Sequence, residues 1–404
     1  MKLALVSSLY APNGHGGAER VVQDLAEGLA ALGHAVHVLC LGRGDRVERA
    51  RLNGVEVRYC PLRNLYWPFP VSPAGLAGKV AWHAIDAHNA RMARIVDGLL
   101  EEVAPELVNT HNIAGFSAAV WAPVARRGLP LVHTLHDHYL LCPYSTMHRG
   151  GRNCERPCLA CRAVTAPRRA LTRHVDGVIG VSRYILERHR ALGLFAQANA
   201  QVVYNGFGEP VPPAPRATGP ALRIGFLGSL VPPKGADRLV DAFLRLAPGA
   251  AELHLAGAGD PGYETELRRR TASRRDVHWR GVVQADLFLA ELDLLVVPSI
   301  YHDPMPRVVL EAFRQGVPVA GARRGGIPEG FAGDCGWLYD PDDPAALAAI
   351  LAEAVASPER LRRMREAARA AVRRCSLGAM LEGYLHAYRV AIARRAAPAA
   401  IASR

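Results

Sequence analysis

Two successive doubly wound α/β domains are predicted for this 404-residue chain by its length, by an alternation of short apolar strands with amphipathic helices, and by a proline-rich break near the middle. With half its residues apolar, a chain of this size outgrows one ordinary core, and two domains of about 200 residues each follow.

Leu3 to Ser7 reads as the first strand. It runs into Pro12 and a glycine cluster rather than a small-residue cleavage site, so it is not read as a secretory leader. A helix follows, its apolar stripe at Val21, Val22, Leu25, Leu29 and Leu32, stopping at Gly33; Val36 to Cys40 is the next strand, closing a βαβ unit. Further strands are expected at Glu106 to Asn109, Leu131 to Leu135, Gly177 to Val181 and Gln201 to Tyr204. The run from Glu209 then carries four prolines in seven residues, too stiff and too poor in N–H donors for an element interior, so 210–221 reads as a linker after a first domain over 1–209. Alternation restarts over 222–376: a strand at Leu222 to Gly228, a helix near Asp237 to Leu246, and strands at Glu252 to Ala256, Asp276 to Trp279, Asp293 to Pro298 and Val317 to Ala320. Ser376 to Arg395 has helical periodicity, and Ala396 to Arg404 reads as a frayed tail.

No run of about 18 apolar residues occurs, so no membrane-spanning helix is expected and the chain is placed in the cytoplasm. The formal charge is +12; between Leu141 and Arg190 ten Arg stand against Glu155, Asp176 and Glu187. Such a block suits phosphate-bearing substrates or an anionic membrane face, or it is a solvated surface of an Arg-rich sequence. Nucleic acid is not expected as a partner, since no aromatic-interleaved basic motif accompanies the charge.

The stretch from Pro298 to Glu329 carries the chemistry. A buried strand ends at Pro298, a loop holds Asp303, and a helix beginning near Pro306 holds Arg307, Val308 and Glu311. Loop and helix start supply N–H groups and a positive dipole end for a diphosphate. A carboxylate further along the helix can accept two hydrogen bonds from a ribose diol, and one in the loop can reach sugar hydroxyls. Gly325 and Gly326 allow close backbone approach, and Lys234, just past the first strand of the second domain, is a point charge for phosphate.

With Gly16-Gly17-Ala-Glu-Arg near the start, Asn205-Gly206, Gly228 through Lys234-Gly235, Leu255-Ala-Gly-Ala-Gly259, Asp303 to Glu311 and Gly325-Gly-Ile-Pro-Glu329, the sequence resembles family 4 of the retaining GT-B glycosyltransferases over nearly its whole length. The resemblance implies two Rossmann-like domains facing across a cleft, with a nucleotide diphosphate sugar as donor substrate. It implies no cofactor for catalysis, and a terminal helix over 377–395 that returns to the first domain. It assigns Glu311 to the ribose, Lys234 to the diphosphate, Asp303 to the transferring sugar, His136 to the acceptor side, and Gly16 and Gly17 to a loop beside the leaving phosphate. Ser229, Arg307, Val308, Gly325, Gly326 and Glu329 complete the donor set. Two departures stand out: Asp303 is one methylene shorter than the family's Glu, and Ser229 replaces an Arg that many members carry, a charge that Arg307 is positioned to restore.

Behind His136, Cys142, Cys154, Cys158 and Cys161 are spaced C-x11-C-x3-C-x2-C. That count suits a structural zinc, with reduced or redox-active thiols or an iron–sulfur cluster as rivals. Their position suggests a role in shaping the acceptor cleft. The expected activity is hexosyl transfer to a sugar or lipid-linked saccharide acceptor in polysaccharide assembly, at the inner membrane face. Transfer to a small soluble acceptor, a nucleotide-sugar 2-epimerase and a catalytically dead nucleotide-binding protein are the alternatives.

Overall fold

The computed structural model describes all residues except 15, 70–73, 209–220 and 397–404. The linker expected at 210–221 therefore lies, apart from Ala221, outside the described residues, as does the tail beyond Ala396. The chain divides into two compact units. One holds Met1–Met147, Glu155–Gly206 and the segment from Leu377; the other holds His148–Cys154 and Phe207–Ser376.

Six strands open the chain: β1 (Lys2–Val6), β2 (Ala35–Gly42), β3 (Glu48–Leu52), β4 (Val55–Pro61), β5 (Leu107–Thr110) and β6 (Leu131–Leu135). A two-stranded hairpin of β7 (His148–Arg149) and β8 (Arg152–Asn153) follows, then β9 (Gly177–Gly180) and β10 (Asn199–Val202). Apart from the hairpin, these strands form one sheet in the order β10-β9-β6-β5-β1-β2-β4-β3, parallel except where β3 turns back on β4. β1, β5, β6 and β9 are buried almost throughout because helices cover both faces, which is why they read as continuous apolar runs.

The helix Gly17–Ala31 buries Val21, Val22, Leu25, Ala26 and Leu29 against this sheet. Leu32, expected on that stripe, is 56% exposed. It is the C-cap residue, where the chain leaves the helical path and the side chain turns to solvent. The final helix, Leu377–Ala396, belongs to the same unit: Met380, Leu381, Tyr384 and Tyr388 sit in its core, and the Tyr388 hydroxyl donates to Asn109 Oδ1 at 2.8 Å.

The second unit is a six-stranded parallel sheet of β11 (Leu222–Leu227), β12 (Ala251–Ala256), β13 (Val277–Gly281), β14 (Leu294–Val297), β15 (Val319–Ala322) and β16 (Gly336–Tyr339), in the order β13-β12-β11-β14-β15-β16. Order reverses between β11 and β14, the switch point at whose carboxyl side open α/β sheets place ligands. Among the described residues no helix is long and apolar enough to cross a membrane.

Candidate active site

β11 and β14, neighbours at the switch point, each lead into a loop that carries a candidate charge. The loop after β14 is pinned by its own backbone: Ile300 N–H donates to Pro233 O at 3.0 Å, tying it to the turn that bears Lys234. The Lys234 ammonium then donates to Asp303 Oδ2 at 2.6 Å and lies 5.2 Å from the centre of the Tyr301 ring. Burial works against the Lys234 charge, but the Asp303 carboxylate and the Tyr301 ring beside it outweigh that cost and hold its pKa above the ordinary lysine value.

Asp303 is also held from the other side. Gly326 N–H donates to the Asp303 carbonyl at 2.8 Å and Gly325 N–H to His302 Nδ1 at 3.2 Å. Gly325 has φ +55, and a Cβ there would meet the Asp303 carbonyl oxygen at 2.0 Å, so two backbones meet where no side chain fits. Glu329 lies in the short turn Ile327–Gly330, its N–H bonded to Gly326 O.

The helix Arg307–Arg314 follows, buried through Val309, Leu310, Ala312 and Phe313, with Val308 half-buried beside them. One turn apart on its rim, Arg307 Nε donates to Glu311 Oε1 at 2.7 Å, and the guanidinium lies 4.2 Å from the Phe207 ring centre. Arg307 is thus engaged with Glu311 and Phe207. Ser229 is exposed. The structure brings Lys234, Asp303, Gly325 and Gly326 into one contact set, with Arg307 and Glu311 on the helix that continues from it. Tyr301 and His302 belong to this set as well, although a ring and an imidazole inside a loop carry no periodic signal in the sequence.

In the first unit, Gly16 caps the helix Gly17–Ala31 without a side-chain bond of its own, and Glu19 reaches back over it. A cavity lined by Ala11, Pro12, Gly14, Gly16, Glu19, Arg20 and Gln23 lies here. His136 ends β6, and its Nε2 is 3.0 Å from Nδ1 of His111, which was not foreseen. His111 in turn faces the Tyr384 ring of the final helix.

His136 is one of several imidazoles held neutral by burial, its pKa lowered to about 4; those of His133 and His189 are lowered to about 3 and about 4, and that of His111 well below 6.5. Unfolding releases them to an ordinary value near 6.5. Their contribution to stability is therefore complete above about pH 6.5 and is lost as pH falls toward the folded values. Asp137, raised to about 6 by burial, opposes this over part of the window, as do Asp86 and Asp176, whose carboxyls burial also raises, while His83, lowered to about 4, adds to it. The melting temperature should fall steadily from pH 7 to 4.5; a flat profile would contradict neutral burial.

The basic block is partly internal. Arg168, fully buried, donates to Asp86 Oδ2 at 2.8 Å and to Tyr139 O at 3.0 Å, and its guanidinium lies 3.9 Å from the Tyr139 ring centre. Asp86, equally buried, also accepts from the Tyr139 hydroxyl at 2.7 Å and Gly115 N–H at 2.7 Å. Burial nonetheless pushes its pKa up, against the pull of Arg168. Arg149, Arg152, Arg156, Arg162, Arg173, Arg183 and Arg190 are exposed.

Among the four clustered thiols, Cys161 interacts with both Cys142 and Cys158; burial first, then those neighbours, raises its pKa to about 12. Cys158 and Cys161 sit at the start of the helix Leu159–Leu171, and Cys154 belongs to the segment grouped with the second unit. Glu252, His254 and His278 also bring three ligand atoms within 4.8 Å. There, however, Arg280 lies 3.3 Å from His254 Nδ1 and Arg223 pairs with Glu252 at 3.6 Å, so two guanidinium groups already supply the positive charge.

The family described as Glycosyl transferase 4-like domain matches residues 16–206, and the one described as Glycosyl transferases group 1 matches residues 221–357. An uncharacterized 42.6 kDa protein in the cps region of Klebsiella pneumoniae is 31% identical over 329 residues, covering 81% of this chain and 87% of that protein. The MMP alpha-(1->4)-mannosyltransferase of Mycolicibacterium hassiacum is 27% identical over 98% of this chain and all of its own. Among solved structures, sucrose-phosphate synthase from Thermosynechococcus elongatus superposes with a TM-score of 0.75 at 18% identity, covering 97% of this chain and 99% of that one. Anabaena HepE in complex with UDP and glucose gives 0.69 at 20%, covering 96% and 98%.

Proposed function

The chain belongs to the group 1 glycosyltransferases, family 4, with the two Rossmann-like units of the GT-B fold, and from that premise we propose that it is a retaining hexosyltransferase acting on a lipid-linked saccharide in polysaccharide assembly. That it is a glycosyltransferase using a nucleotide sugar follows from the family; the stereochemistry, the acceptor and the residue roles are our reading. The observation that carries it is the contact set of Lys234, Asp303 and the Gly325-Gly326 turn at the switch point of the second sheet, with Glu311 one helix turn beyond Arg307.

In this reading the diphosphate lies against Lys234 and the N–H groups of Met305, Arg307 and Val308. Glu311 accepts from the ribose diol, and Asp303 faces the sugar. His136, Gly16 and Gly17, all in the first unit, are assigned to the acceptor side. As the bond from the anomeric carbon to the diphosphate oxygen breaks, negative charge grows on that oxygen and positive charge on the ring. Lys234 answers the first. The acceptor hydroxyl forms the new bond on the face the diphosphate leaves, and its proton passes to the departing phosphate oxygen, so no protein nucleophile is used. Asp303 keeps Lys234 charged until a phosphate competes for it.

A thermal-shift screen of nucleotide diphosphate sugars identifies the donor, since a ligand bound to the folded state raises its melting temperature. The anomeric configuration of the product, read by NMR, then tests retention; an inverted product overturns it. Lys234→Ala should lower kcat about 100-fold, the usual cost of removing a group aimed at developing charge, with a smaller effect on nucleotide affinity. A loss of nucleotide affinity with kcat unchanged would assign Lys234 to binding alone.

The likeness to a protein of the cps region supports the acceptor class, and the exposed Arg residues at 149–190 support docking on an anionic membrane face. Salt-insensitive or absent co-sedimentation with anionic liposomes would count against that docking. The C-x11-C-x3-C-x2-C spacing of Cys142, Cys154, Cys158 and Cys161 supports a structural zinc, with C-x2-C at a helix start supplying two ligands, whereas the three-ligand group that forms among the described residues is Glu252, His254 and His278. Less than about a tenth of an equivalent of zinc in protein purified without chelators would dismiss it.

A further inference from the structure

The hairpin of β7 and β8 is numbered within the first half of the chain but groups with the second unit. Gly150 and Gly151, at φ +57 and +76, make the tight turn that pairs His148 with Asn153. At its end, Asn153 Nδ2 donates to Ile300 O at 2.8 Å, and His302 N–H donates to Asn153 Oδ1 at 3.2 Å. One side-chain amide thus offers residues 300 and 302 the acceptor and donor that a neighbouring β-strand would offer. In sequence this segment follows His136 on the acceptor side, yet its hydrogen bonds run to the loop of Asp303.

That loop is otherwise held from the side of Lys234 by Pro233 O and beyond Asp303 by Gly325 and Gly326. Asn153 closes the remaining side, between residue 300 and residue 302. Given the donor-site reading above, we propose that Asn153 is a positioning residue for sugar transfer: the hairpin uses it to fix the backbone that presents Asp303 to the transferring sugar, without touching the nucleotide. Sugar choice then depends partly on a segment some 150 residues away in sequence, because the short Asp303 side chain reaches only as far as its backbone is carried.

Asn153→Ala and Asn153→Asp test this. Aspartate keeps the acceptor for His302 N–H but offers nothing to the Ile300 carbonyl and sets a negative oxygen against it, so its loss should match or exceed alanine's. Expected are a fall in kcat of roughly tenfold, the size two backbone hydrogen bonds lost from an immobilised loop would produce, nucleoside diphosphate affinity within about twofold of the parent, an unchanged melting temperature, and faster amide exchange confined to residues 299–303. Unchanged kcat with unchanged exchange overturns the proposal. So does a fall in nucleotide affinity equal to the fall in kcat, since that would mark general damage to the site. Should the parent chain transfer no sugar from any donor, the functional reading fails, while the exchange measurement still decides whether Asn153 holds the loop.

Discussion

Glu311→Ala is expected to reduce sugar transfer by two to four orders of magnitude and to weaken nucleotide binding with it. A carboxylate accepting two hydrogen bonds from a ribose diol loses about 1.5–3 kcal/mol for each, and each 1.4 kcal/mol is about tenfold. The loss should appear in the dissociation constant of the bare nucleoside diphosphate as well as in kcat/KM, because the ribose is bound in ground state and transition state alike. Glu311→Gln should fall between, keeping one acceptor oxygen and losing the charge that Arg307 now pairs with at 2.7 Å. Near-parental activity in the alanine variant would remove the site assignment altogether.

Asp86→Ala should destabilise the first unit by about 3–5 kcal/mol, the usual cost of leaving one partner of a buried ion pair alone. The Arg168 guanidinium would stay in a fully buried place, and the Tyr139 hydroxyl and Gly115 N–H would lose their acceptor. In a unit of this size the melting temperature should drop by roughly 10 °C. Replacing both partners with apolar residues, Asp86→Leu with Arg168→Met, should recover much of the loss, since no charge then remains buried. A double variant no better than the single would locate the cost in packing.

How much of this was legible in the sequence follows from how local each signal is. β1, β6 and β14 are buried on both faces and announce themselves as apolar runs. β3 is an edge strand, Glu-Arg-Ala-Arg-Leu, mostly exposed, and hydropathy passed over it even though Asn53-Gly54, which turns it into β4, is a recognised hairpin signal. Asp303, Glu311 and Lys234 stand out in the sequence because their order along the chain suits a ligand, and the contact of Lys234 with Asp303 belongs to the structure. His111 beside His136, and Asp86 beside Arg168, do not stand out: each partner lies tens of residues away, and nothing in either neighbourhood distinguishes a buried charge from a surface one. Ten Arg in fifty residues looked like one patch, whereas folding spends Arg168 inside the unit.

The placement of the final helix also dictates when the chain can fold. A domain made of the first residues of a polypeptide ordinarily closes while the rest is still being synthesised. Here the core under the first sheet lacks Met380, Tyr384 and Tyr388 until the second unit has been synthesised, whereas the bulk of that second unit is one continuous stretch, Phe207–Ser376. Maturation on the ribosome therefore runs against the order of translation, and a gene cut at the proline-rich segment yields a free second half but leaves the first with an open seam.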